Sequence, residues 1–152
     1  MKKNLFNLLT ILGLMIAFTA CSGDDTDNPN VIKDEQGIKI EISWSNNATD
    51  PTDGTSLELN VKDGFLSVFS TNNWHSFGSV EIQNGSLNNG TYALDVQVDA
   101  IDRLTNYKIT VTGLASGKVY VSDFGPINAN DLFLTLKPLS LTVSGNKYTV
   151  TN

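Results

Sequence analysis

IKIEISW, residues 38–44, decides the fold: every second residue is large and apolar, and those between are charged or hydroxylated. Ile38, Ile40, Ile42 and Trp44 alternate with Lys39, Glu41 and Ser43. Successive side chains of an extended strand point to opposite faces, so this phase lays one face on a core and the other in water. A helix would repeat its apolar positions every 3–4 residues instead.

The same period of two recurs downstream. It is read at Leu57-Leu59-Val61, Val80-Ile82, Tyr92-Leu94-Val96-Val98 and Tyr107-Ile109-Val111. Val119-Val121, Leu132-Leu134-Leu136, Leu139-Leu141-Val143 and Tyr148-Val150 follow. Turn dipeptides separate these runs: Asp53-Gly54, Asp63-Gly64, Asn84-Gly85, Asn89-Gly90 and Gly145-Asn146. No stretch beyond Cys21 keeps a helical period. Eight to ten short strands at roughly ten-residue spacing predict an all-β fold, a single antiparallel β-sandwich of jelly-roll or Ig-like type. Residues 37–152 form this domain, and a body of about 115 residues can enclose one core without disulfides.

The N-terminus has a different character. Lys2 and Lys3 precede an apolar run over residues 5–18, followed by the small residues Thr19 and Ala20 and the chain's only cysteine, Cys21. That is the layout of a secretory signal over residues 1–20, a helix to be cleaved off. The run is shorter than the ~20 residues a membrane-crossing helix needs. FTAC, residues 18–21, resembles the lipobox of bacterial lipoproteins, with Phe18 where Leu is more usual. The resemblance implies that the Cys21 thiol takes a diacylglycerol, that cleavage precedes it, and that the new amine is acylated. Several acyl chains of the palmitate kind, at ~0.8 kcal/mol per buried methylene, make such an anchor durable.

Cleavage there removes 20 of 152 residues and leaves 132. It also removes two lysines, leaving 8 basic against 16 acidic residues, a net charge of −8. An acidic surplus of that size argues against nucleic acid and anionic lipid headgroups as partners. CSGDDTD, residues 21–27, is similar to the acidic export signal of Bacteroidetes surface lipoproteins. Asp24, Asp25 and Asp27 then imply display on the outer face of the outer membrane. Residues 21–36 are predicted to be a disordered acidic tether, because Asp, Asn, Ser and Pro bury too little surface to fold.

SWSNNATDPTDGTSLELNVKDG, residues 43–64, looks like the opening of pre-peptidase C-terminal-type β-sandwich domains. NNGTYALDVQV and NYKITVTG, residues 88–98 and 106–113, resemble later strands of that family. Ser56 and Glu58 stand where the family has two aspartates, and Asn60 where it has an aromatic. The resemblance therefore implies the fold, and a binding or spacing module, more than a metal site.

For catalysis the sequence offers little. His75, the only histidine, has serines nearby, but neither Gly-x-Ser-x-Gly nor His-Glu-x-x-His occurs. With one cysteine and one histidine no zinc set of nitrogen and sulfur ligands forms. No organic cofactor is implied. Calcium is the one ion the loops could take: Asp50, Asp53 and Asp63 flank two neighbouring loops, and Asp99 and Asp102 crowd a third. Turns favour Asp on their own account, however.

STNNWHSFGS, residues 70–79, is the most suggestive loop. Trp74 and Phe77 supply flat apolar faces beside Asn72, Asn73 and His75, a mixture suited to sugars. The plainer reading is that Trp74 turns inward and plugs one end of the sandwich. The sequons at Asn47, Asn84 and Asn89 read as turns. The function expected is a lipid-anchored, surface-exposed, non-enzymatic module for a glycan or an envelope protein. The alternatives are a small hydrolase or accessory subunit with its site near Trp74 and His75, and a structural component of a lipoprotein complex.

Overall fold

The computed structural model describes residues 28–45, 54–74 and 76–152, with the backbone alone for Asn72, Asn73 and Trp74. Its elements are β1 (Val31–Lys33), β2 (Gly37–Ser45), β3 (Ser56–Asp63), β4 (Leu66–Ser70), β5 (Asn72–Trp74) and β6 (Phe77–Gln83). Then come β7 (Gly90–Ala100), β8 (Thr105–Gly113), β9 (Val119–Ile127), β10 (Thr135–Ser144) and β11 (Lys147–Thr151). One sheet runs β1-β11-β10-β7-β3-β4 and the other β5-β6-β2-β8-β9, every pairing antiparallel. The inward sets of both sheets merge into one core. Ile38, Ile40, Ile42, Leu57, Leu59, Leu94, Val96, Ile109 and Leu141 are fully buried within it. The all-β sandwich expected from the alternation is the fold observed.

Three details differ from the sequence reading. The sandwich begins inside the segment 21–36 read as tether: β1 pairs with β11, and Val31 and Ile32 are buried. Three residues of strand among Asn, Asp and Glu are too few to show a period. In β9 the phase is reversed. Val119 and Val121 face water, whereas Tyr120 and Phe124 pack on the core, because Val111 pairs with Tyr120 and Tyr107 with Phe124. Leu132, Leu134 and Leu136 do not form one strand. A 3-10 turn at Ala129–Asp131 and a left-handed Phe133, at φ 63°, precede β10, so Leu134 is left exposed.

Two polar devices set how the strands connect. Only Thr71 separates β4, in one sheet, from β5, in the other. Its amide donates to the Leu59 carbonyl at 2.9 Å, and its hydroxyl accepts the Leu59 amide at 3.1 Å. The side chain thus stands in for a main-chain acceptor where the chain leaves the ladder, and no buried amide is stranded there. Gly64 opens the two-residue β3–β4 turn at φ 58°, a conformation that favours glycine.

Asp34 clasps the opposite side of the sandwich. One carboxylate oxygen accepts the amides of Gln36 and Gly37 at 2.9 and 3.1 Å; the other accepts those of Ala115 and Ser116 at 2.8 and 2.6 Å. The β1–β2 turn is thereby tied to the β8–β9 turn. Gly113 lies so close that a Cβ there would collide with Asp34 and Ser116. Burial alone would push the Asp34 carboxyl up, but the amides of Ser116, Gln36 and Ala115 and the Ser116 hydroxyl outweigh it and hold it at about 2.

A carboxylate depressed from 3.8 to about 2 adds stability that is complete above 3.8 and lost as pH falls through 2. Asp34→Ala should cost at least about 3 kcal/mol at neutral pH, since four amides lose a charged acceptor. Urea unfolding at pH 7, 4 and 2 checks this: the gap between wild type and Asp34→Ala should narrow between pH 4 and 2.

Candidate functional site

One end of the sandwich collects the end of β2, the start of β3, the β5–β6 turn, the β7–β8 loop and the β9–β10 loop. The ladders fix this: Ser45 pairs with Asn106, Ser56 with Ala100, and Thr105 with Ile127. The Trp44 amide donates to the Ser76 carbonyl at 3.1 Å, and the Gly54 amide to Asp102 Oδ2 at 2.9 Å. The aromatic loop and the flank of the DPTDGT loop therefore meet at the same end, though they lie far apart in sequence.

Across the outer face of the second sheet the registers line up a row. Phe77 on β6 is opposite Ser43 on β2, Ser43 opposite Lys108 on β8, and Lys108 opposite Asp123 on β9. Directly opposed residues share a face of the sheet. This face is the outer one, because the alternate residues Ile42, Trp44, Tyr107 and Ile109 are buried. Trp74 continues the row by register, as the backbone partner of Phe77. A second row, Ser45 and Asn106, lies one step nearer the end.

Between these rows the surface dips into an open hollow of about 470 Å³, lined by residues 43–45, 106–108 and 123–125. The floor is backbone, because Trp44, Tyr107 and Phe124 send their rings to the core side. Tyr107 and Phe124 stack there at 5.2 Å between centroids. Burial pushes the Tyr107 phenol up to about 12, so it stays neutral at ordinary pH. Gly125, at φ 114°, lets β9 approach closely: a Cβ there would lie 3.0 Å from the Asn106 Cα. Ser43, Ser45, Asn106, Lys108 and Asp123 are the hollow's polar lining residues, and Phe77, 41 % exposed, lies beyond Ser43 in the row.

Of the residues singled out from sequence, Phe77 belongs to this row, and Asn72, Asn73 and Trp74 form β5 beside it, paired with Ser79, Gly78 and Phe77. His75, Asp50, Asp53, Cys21, Asp24, Asp25 and Asp27 lie outside the described residues. Asp63 ends β3, and Ser56 at the other end of that strand is about 23 Å away. Asp63 thus sits at the end of the sandwich remote from Gly54. Asp99 accepts a hydrogen bond from Gln97 at 2.8 Å. Among the described residues no three of His, Cys, Asp and Glu converge as a metal site would need.

Ser43, Ser45, Asn106 and Lys108 were not legible as a site, because each occupies the polar phase of its strand, and Asp123 was not, because it shares its phase with Val119 and Val121. Only the cross-strand registers bring them together. Against known proteins, the chain matches no family model, no curated protein and no solved structure.

The row and its floor should respond differently to truncation. Phe77→Ala should lower the unfolding free energy by about 1 kcal/mol or less, since much of the ring is already in water. Tyr107→Ala should cost about 3–5 kcal/mol, because it removes a buried, stacked ring. Equilibrium unfolding in urea measures both, and equal losses would contradict the assignment of faces.

Proposed function

We propose that this chain is a lipid-anchored protein of the bacterial outer membrane, displayed at the cell surface, whose sandwich is a non-enzymatic binding module. The observation that carries the binding reading is the row Phe77, Ser43, Lys108 and Asp123 beside an open hollow of mixed polar and apolar lining. An exposed aromatic next to hydroxyl, amide, ammonium and carboxylate groups provides contact area and orientation at once. The partner is a glycan or an envelope protein. The likeness of residues 43–64 to pre-peptidase C-terminal-type domains favours a binding or spacing module in the same sense.

The anchor rests on sequence: Cys21 directly after an apolar run and two small residues, then Asp24, Asp25 and Asp27. Once Cys21 is acylated, the membrane is itself a partner, held through lipid rather than through the sandwich. Nothing in this reading requires a cofactor.

Labelled palmitate should enter the wild-type protein and not Cys21→Ala; equal incorporation refutes the anchor. Replacing Asp24, Asp25 and Asp27 by Ala should keep the label and lose cleavage by protease added to intact cells. Unchanged cleavage would reduce the three acids to a solvated spacer. For the binding reading, Lys108→Ala with Phe77→Ala should weaken retention on purified envelope material at least about tenfold. Retention equal to wild type would remove the row as the contact surface.

A further inference from the structure

We infer that the ligand of the outer-face row is an uncharged, hydroxyl-rich polysaccharide chain lying across the strands from Phe77 toward Asp123. The inference rests on the reading of the sandwich as a binding module and names the chemistry of what it binds.

Charge comes first. Lys108 is the one cation lining the hollow, and its register partner on β9 is Asp123. Ser43, Ser45 and Asn106 are neutral. A carboxylated or sulfated polymer needs a surplus of cations at its site, and here the lining holds one ammonium and one carboxylate. The chain as a whole carries a net charge of −6, which repels a polyanion further. A cationic ligand meets the mirror-image problem, because Asp123 is the one carboxylate in the lining and Lys108 is present beside it in register.

Hydrogen bonding comes second. A sugar hydroxyl both donates and accepts, and the row, with Asn106 from the neighbouring row, offers both functions. The Ser43 hydroxyl and the Asn106 amide do either, the Lys108 ammonium donates, and the Asp123 carboxylate accepts. Neighbouring hydroxyls on one ring can therefore be satisfied by neighbouring strands. Phe77 adds a flat apolar face at one end, against which the C–H side of a sugar ring can lie.

The paired backbone separates a glycan from a peptide. An extended peptide gains affinity by adding to a free sheet edge through its main chain. β6, β2 and β8, which carry three of the four row positions, are each hydrogen-bonded to strands on both sides. Their main-chain groups are spent on the ladders, so a ligand over them draws its hydrogen bonds from side chains. That suits a chain which brings its own hydroxyls. From β6 to β9 the row crosses three strand spacings, about 14 Å, the reach of roughly three hexose units.

The test is titration calorimetry on the full-length protein in detergent with cellohexaose, laminarihexaose, mannohexaose and maltohexaose. Hexagalacturonate serves as the anionic counterpart. At least one neutral hexasaccharide should bind. Its affinity should rise with chain length to about the trisaccharide and then level off, and should be nearly unchanged when salt goes from about 0.1 to about 1 M. Phe77→Ala and Asp123→Ala should each weaken binding about tenfold. Ser43→Phe, which fills the hollow, should abolish it while circular dichroism stays that of wild type. Failure of every neutral oligomer to bind overturns the inference. Salt-sensitive binding of hexagalacturonate that Phe77→Ala weakens overturns the ligand class and leaves the surface standing. Neutral-sugar binding indifferent to both Phe77→Ala and Ser43→Phe overturns the surface itself.

Discussion

β2 is hydrogen-bonded on both sides, to β6 and to β8, and its inward residues Ile38, Ile40, Ile42 and Trp44 are almost wholly removed from water. That burial fixes its register. A slip of one residue would turn four large apolar side chains out and put Lys39, Glu41 and Ser43 in the core. At about 1.5–3 kcal/mol for each large side chain returned to water, no alternative pairing competes. The outward residues of β2 are placed by the same constraint, since they have no other face to occupy. Ser43 stands between Phe77 and Lys108 because Ile42 and Trp44 must be buried.

Polar groups finish what burial begins, at the places where strands stop. Asp34 takes up four amides from two turns, and Thr71 lends a hydroxyl to the ladder where the chain passes between sheets. Both answer the same problem: a buried backbone amide without an acceptor is costly, and a turn or a crossover creates such amides. The Thr71 crossover also has a consequence for the site. By leading straight from β4 into β5, it carries Asn72–Trp74 onto the second sheet beside β6, and so brings the aromatic loop to the row.

Most of the sandwich could be read from the period of two, because the strands of its centre put their large apolar residues on one buried face, even where β3 and β7 also bury the polar partners Asn60 and Asp95 on the other. Ile38–Trp44, Leu57–Val61, Tyr92–Val98 and Tyr107–Val111 are such strands. The reading failed where that condition lapses. β9 is an edge strand whose valines face water and whose aromatics face in, so apolarity alone points to the wrong face. β1 is too short to show alternation. The loop at residues 70–79 stood out for its aromatics, and Phe77 does join the row. Lys108 did not stand out, because a charged residue on a polar strand face is ordinary, nor did Asp123, a lone acid in phase with two valines. Their meaning comes from the neighbours that β2 and β9 bring alongside β8, and pairing between distant strands leaves no mark in the local sequence.

The central claim is that the register imposed by the core also assembles the outer row. Nuclear Overhauser effects measured across the strands in solution test it most directly. The account predicts cross-strand contacts of Ser43 with Phe77 and with Lys108, and of Lys108 with Asp123. Contacts shifted by one residue, with Trp44 opposite Phe77 and Lys108, would contradict it.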